Sequence, residues 1–330
     1  MSRYIFMRLR HMAITMILVS IVSFVIIELP PGDFLTVLQN QLQSQQMSNE
    51  QIEGTLKVYK ERFGLDQPIH VRYLKWVFGL LRGDLGYSMM MSNKVGILIG
   101  ERIALTLLLS VATLIFTMAV SVPIGIYSAI RQYSAGDYLF TFIGFIGLAI
   151  PDFLLALILL FVVVTVFGAS GVGGLFSSEY ITAPWSFGKA LDLIKHLWLP
   201  VIIVGTSGAA GTIRVMRARM IDALGEPYVQ TARMKGLAEA RVVLVHALKV
   251  AINPIITSLG LSLPGIISGA TIVSVVLVLP TVGPLLLNAL LAEDMYLACT
   301  ILLLLTMALV VGNFFADLAL AWIDPRIRYD

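Results

Sequence analysis

The sequence predicts an all-α polytopic membrane protein, and three observations carry that prediction. Mean hydropathy is +0.89. Charged residues make up 13% of the 330 residues, against about 25% in a soluble domain. The apolar runs are long and continuous, unlike the short alternating segments of a β-barrel. A helix needs about 20 apolar residues to cross the hydrocarbon core. Six stretches meet or approach that length: 11–29, 104–130, 138–168, 197–213, 255–279 and 297–323.

The first stretch follows Arg3, Arg8 and Arg10. A cleaved signal peptide starts in the same way, but this run outlasts a signal core. It closes in ELPPGDF, with no small-x-small cleavage pattern. Residues 1–29 therefore read as a cytoplasmic N-terminus and an uncleaved first span. Residues 30–103 are too patterned for a linker and read as a small helical external subdomain. Ser48 and Gln51 form a capping box. Ile52, Leu56, Tyr59 and Phe63 fall on one helical face, and Gly64 closes the helix. A second amphipathic stretch, LDQPIHVRYLKWVFGLLRGDLGYS, ends in glycine turns. The run Met89–Met91 is expected to pack on the membrane or a partner rather than bind metal.

Residues 104–323 form a five-helix core. Pro151–Asp152 interrupts the 138–168 stretch, which reads as one kinked helix in preference to a helix plus a re-entrant piece. A carboxylate in an apolar span is costly and points to function. Asp152 either lines a path or caps the helix that restarts after Pro151, and capping is the favoured reading. The 197–213 stretch is short and rich in Gly and Ser. The fifth stretch carries Ser258, Ser262, Gly265 and Gly269 at spacings of 4, 3 and 4, with Ser268, Thr271 and Ser274 beside them. Such small residues either pack helices closely or leave a polar pathway wall.

Between the fourth and fifth stretches lies a polar island, 214–254, with seven Lys/Arg and three acids. A basic loop of this size belongs on the cytoplasmic side. Pro227 suits a first helical turn and Gly236 the position past a helix end, and Pro254 marks the next span. The island therefore reads as helix, sharp bend, helix: an elbow that presents itself to a partner, or else an ordinary helical hairpin. With the N-terminus inside, cytoplasmic segments hold 13 of the 23 Lys/Arg, and eight of the other ten lie in the long segment 30–103. Both termini, including the tail 324–330, are expected in the cytoplasm.

Several chemistries are poorly supported. A single cysteine, Cys299, allows no internal disulfide and no thiolate cluster. The nearest approach to a P-loop, Gly188–Lys189, has Ala183 where the upstream glycine belongs and is followed by Ala190. His11, His70, His196 and His246 are scattered, and no nucleophile triad or nucleic-acid face stands out. The energy for any work must come from an ion gradient or a partner.

The segment EPYVQTARMKGL…VLVHALKVAINP resembles the EAA loop of membrane subunits of binding-protein-dependent ABC importers. The dipeptide/oligopeptide permease branch is the nearest in kind, in the subunit with the large first external segment. The resemblance covers nearly the whole chain. It includes RFGLDQPIHVRYLKW at Arg62–Trp76, LLRGDLGYS at Leu80–Ser88, IPDFLLALILL at Ile150–Leu160, LPTVGPLL at Leu279–Leu286 and DPRIR at Asp324–Arg328. Met234, Asn253 and Thr281 depart from the usual pattern.

The resemblance implies a type I importer permease fold in the bacterial inner membrane. It implies a second homologous permease subunit, two cytoplasmic ATPases and an extracytoplasmic binding protein. The chain itself would be no enzyme and hold no cofactor; ATP and Mg would sit on the ATPases. Glu226, Tyr228, Ala232, Arg233, Lys235, Gly236 and Leu237 would couple to an ATPase. Asp152, Ser258, Ser262, Ser268 and Thr271 would be pathway candidates, and Asp152 in that role would meet a peptide amino group. The alternative is a self-contained secondary transporter or channel. That class calls for an internal repeat and intramembrane coupling charges, and the sequence offers no repeat and few such charges. Dipeptides, oligopeptides, peptide antibiotics, opines, nickel and oligosaccharides all remain open as cargo.

Overall fold

The computed structural model describes residues 2–29, 32–168 and 173–323, with side chains described outside 2–5, 167, 259–264 and 315–323. The tail 324–330 lies outside the described residues, as does the side chain of Ser262. Among the described residues four helices are long and apolar enough to cross a membrane, 6–28, 95–130, 187–225 and 295–314, and five spans result if the bent pair 135–149 and 152–166 is one span. The chain divides into two compact units, one of 1–105 with 284–310 and one of 106–283 with 311–330.

In the first unit, α1 (Ser2–Glu28) precedes three amphipathic helices, α2 (Phe34–Ser44), α3 (Asn49–Phe63) and α4 (Ile69–Leu81). The α3 capping box forms as expected, and Gly64 ends the helix in the left-handed conformation at φ 62°. The predicted face turns inward, with Ile52 buried and Leu56, Tyr59 and Phe63 half-buried. Asp33 caps α2 through the Thr36 amide, a helix beyond the expected ones. Phe24, Phe34, Trp76, Met89 and Met295 make the core. Met89 is thus spent inside the unit rather than on a membrane or partner. Two polar ties fix the parts. Arg72 grips Glu28 with two hydrogen bonds of 2.9 and 2.5 Å, and the Trp76 indole donates to Thr300 at 3.1 Å. Asp294, fully buried, accepts from the Ser88 hydroxyl at 2.6 Å and the Met90 amide at 3.0 Å. It holds the turn between β1 (Tyr87–Ser88) and β2 (Asn93–Lys94), an antiparallel pair.

The second unit takes most of α5 (Val95–Ile130), then α6 (Ala135–Ala149), α7 (Asp152–Phe167) and α8 (Phe187–Gly225). α6 and α7 meet at 107°. The kink expected at Pro151 is a full break, because Ile150 is extended and Pro151 cannot donate to the preceding turn. α8 is 39 residues long, far beyond the expected 197–213. Its ends are polar, yet their partners come from elsewhere in the chain. Asp192 accepts from the amide and hydroxyl of Ser177. Lys189 lies over Phe176 and Trp185, at 4.8 and 5.1 Å from the ring centres, and donates to the Ala183 carbonyl. At the other end Arg217 makes a two-pronged pair with Asp137, at 2.9 and 2.8 Å. After α8 come α9 (Pro227–Met234), α10 (Glu239–Arg241), a π-helical turn (Val242–Ala247), α11 (Leu248–Ala251) and α12 (Asn253–Val276). α12 is 24 residues long and covers the expected fifth span. α13 (Val282–Leu291) occupies a stretch expected as loop, and α14 (Met295–Ile323) closes the chain.

Candidate functional site

Two places in the second unit collect the residues the sequence singles out. The first is the elbow. α8 stops at Gly225, Glu226 is extended, and Pro227 starts α9 at its first turn. α9 has an inward face. Val229 and Ala232 are buried against Met216, Met220 and Ala223 of α8 and Val242, Val243 and Ala247 of the π turn. Leu237 packs on the same core from its edge. The bend is at Gly236, in the left-handed region at φ 76°, where its amide donates to the Arg233 carbonyl at 2.9 Å. A Cβ there would meet nothing within 4 Å, so the requirement for glycine is one of backbone conformation alone. Arg233 and Glu239 clasp each other across the bend at 2.7 and 3.2 Å. The guanidinium holds the Glu239 carboxyl below its ordinary value, and the carboxylate raises the arginine.

The elbow's residues thus divide by direction. Ala232 and Leu237 face the chain's own core, and Arg233 is engaged with Glu239. Glu226, Tyr228, Lys235 and Gly236 are exposed. So are Thr231 and Met234, the latter 80% exposed on a terminal turn. A bare methionine flanked by Thr231 and Lys235 marks the outer face. The sequence held part of that signal, since 234 falls nearly opposite the midpoint of 229 and 232 at helical spacing.

The second place is a cavity of ≈ 370 Å³ walled by α5, α7, α8 and α12. Asp152 enters it together with Thr117, Ser207, Thr212 and Ser258. The capping role expected of Asp152 is not realised: Pro151 holds the cap position, and no side chain caps α7. The carboxylate turns instead toward α8, where it shares the cavity wall with Ser207. One of its oxygens would lie 2.9 Å from a Cβ at Gly269. Only a glycine leaves room for it. Ser268 is exposed and does not line the cavity. Thr271 donates to the Ile267 carbonyl and closes on Gly283, within 3.0 Å of where a Cβ would stand. It serves packing. Thr117, Ser207 and Thr212 were missed because no single helix shows that their hydroxyls converge.

The cavity sets one carboxylate and four hydroxyls in a wall that is otherwise apolar, with Leu114, Met118, Val204 and Ile266. Among the described residues no group of three or more His, Cys, Asp or Glu is placed to hold a metal ion.

Comparison with known proteins adds to this geometry. Residues 121–329 match the family described as binding-protein-dependent transport system inner membrane component. Residues 1–110 match the corresponding N-terminal family of such membrane components. The chain is 37% identical to the oligopeptide transport system permease protein AppB of Bacillus subtilis, covering 100% of both chains. It is 29% identical to the dipeptide transport system permease protein DppB of Escherichia coli, covering 100% of this chain and 99% of that one. Identity to the di/tripeptide transport system permease protein DppB of Pseudomonas aeruginosa is 30%, over 100% and 99% of the two chains.

Proposed function

Because the chain belongs to the family of inner membrane components of binding-protein-dependent transport systems, we propose that it forms half of a peptide pathway through the bacterial inner membrane. It is a transport subunit and not an enzyme. Its partners are a second homologous permease subunit, two cytoplasmic ATPases that bind ATP and Mg, and an extracytoplasmic protein that delivers peptides or peptide-like solutes. Six spans cross the bilayer when α12 and the α6–α7 pair are each counted once, and both termini lie in the cytoplasm.

The observation that carries this reading is the elbow's division of faces. Val229 and Ala232 are sunk into the core that continues along α8, while Tyr228, Thr231, Met234 and Lys235 stand outside. A surface so mounted is suited to pass force inward from a partner that hydrolyses ATP. Tyr228, Lys235 and Gly236 meet the ATPase, with Glu226 at the edge. Ala232, Arg233 and Leu237 shape the bend. Asp152 and Ser258 line the path.

The test is Gly236→Val beside Gly236→Ala. A β-carbon in the left-handed region costs about 1–2 kcal/mol, and valine adds bulk on the docking face. Both variants should insert and pair with the partner permease. The valine variant should lose ATPase co-purification or binding-protein-stimulated hydrolysis in proteoliposomes, and alanine should lose less. Wild-type coupling in Gly236→Val would reduce the elbow to a connector. A secondary transporter or channel would take up peptide with no ATPase subunit present, and the same proteoliposomes measure that.

A further inference from the structure

A groove of ≈ 270 Å³ between α6 and α8 takes no part in the coupling or the pathway. Its lining combines polar Arg214, Arg217, Asp137 and Tyr133 with apolar Phe145 and Leu148. Arg217 is committed to Asp137. Arg214 is not: its guanidinium lies over the Phe145 ring, 5.7 Å from the centre, and among the described residues no carboxylate stands within salt-bridge distance. Tyr133 and Tyr138 are 73% and 62% exposed, and Phe145 is 58% exposed. Aromatic residues at such a level mark the membrane–water interface, and a basic pocket between spanning helices fits an anionic head group.

We infer that this groove binds an anionic phospholipid, its phosphate at Arg214 and its acyl chain along Phe145 and Leu148. Two features favour a lipid over a free anion. The cation is single and exposed, too weak alone to hold phosphate against water. The apolar lining lies next to it and would remain uncovered by a small ion. Charge decides the head group, because Arg214 leaves the groove with one unneutralised positive charge beside the balanced Arg217–Asp137 pair. The site requires only that α6 and α8 sit in a bilayer, and its test rests on the importer reading for the partner permease alone.

The test uses the full chain, purified with its partner permease and exchanged into nanodiscs of phosphatidylcholine with graded phosphatidylglycerol. Bound lipid is counted by native mass spectrometry after gentle release. Wild type should retain phosphatidylglycerol over phosphatidylcholine. Arg214→Gln should retain it about fivefold less well, the factor one basic side chain contributes near an anionic surface. Phe145→Ala should weaken retention of both lipids. Arg219→Gln, an exposed basic residue of α8 outside the groove, should behave as wild type, which separates a site from general surface charge. Inorganic phosphate and glycerol phosphate should not compete. Equal retention by wild type and Arg214→Gln overturns the proposal. So does an equal loss in Arg219→Gln, competition by free phosphate, or a cross-link from the groove to the partner permease that excludes lipid. A folded Arg214→Gln is verified by its binding to that partner, so loss of lipid cannot be mistaken for misfolding.

Discussion

Asp152 illustrates what a sequence conveys about one residue and what it withholds. Its cost in an apolar span was plain, but its direction was not, because the carboxylate's neighbours, Ser207 and Gly269, lie 55 and 117 positions further on. A cap can be replaced by an amide; a charge in the cavity wall cannot. Asp152→Asn is therefore expected to assemble normally and to lower uptake of peptides with a free amino terminus about tenfold or more, the loss of a charged hydrogen bond worth roughly 1.5–3 kcal/mol. Proteoliposome uptake decides it, and unchanged transport would return Asp152 to a packing role. Gly269→Ala should do similar harm, since the added methyl meets the carboxylate itself.

Glu293 is a second residue-scale case. It holds a positive φ of 54°, and burial together with Asp33 and Glu28 raises its carboxyl above the ordinary value. A raised acid is at ease when protonated, so it favours the fold at low pH and works against it once pH climbs past the raised value. Glu293→Gln should accordingly unfold at higher temperature than wild type near neutrality, with the gain shrinking as pH falls into the ordinary carboxylate range. Melting curves across pH in detergent check the sign. A gain that persisted at low pH would put its cause in packing instead.

At the scale of elements, regularity was legible and ionic reach was not. The α3 face, its capping box and its glycine stop are local signals, and all three were borne out. The elbow's Pro227 and Gly236 are local as well. α8 failed as an expectation because charged residues interrupt an apolar run whether or not the helix stops. Its continuity rests on Ser177, Phe176 and Asp137, each distant in sequence. α2 carries a helical period in Phe34, Val37, Leu38 and Leu42 that was missed, and the β1–β2 turn is held by Asp294 from far along the chain.

The Asp137–Arg217 pair makes the point testable. Asp137 is 3% exposed and its partner's side chain 29%. Removing one member of a buried pair costs about 3–5 kcal/mol, and the open side of Arg217 should place this pair at or below the lower end. Asp137→Ala and Arg217→Ala should each lower the melting temperature. The double variant should lose less than their sum, because neither charge is then stranded. Strict additivity would show that the two groups do not depend on each other.

For the whole molecule, the basic 214–254 stretch predicts a cytoplasmic elbow by the positive-inside rule, and cysteine labelling checks it. Cys299 is buried, so the native chain supplies a quiet background. Glu53→Cys is preferable to Ser48→Cys, since Ser48 caps α3. A membrane-impermeant maleimide should label position 53 on intact spheroplasts and Ala238→Cys only after permeabilisation. The reverse pattern would invert the chain. Whole-chain relations are also where the sequence was least legible. The cavity draws its wall from four helices, and no stretch of sequence carries more than a part of it.

The length of α8 gives the molecule a mechanical ratio. From Pro200, the one position where the helix lacks an internal donor, to Gly225 at the elbow is roughly 38 Å at 1.5 Å per residue. Ser207 stands only about 10 Å from the same point. A rigid arm turned at Pro200 would move the cavity wall by about a quarter of the displacement at its far end, with the force raised in proportion. Such gearing would suit a small gate among tightly packed neighbours, with Pro200 as its fulcrum.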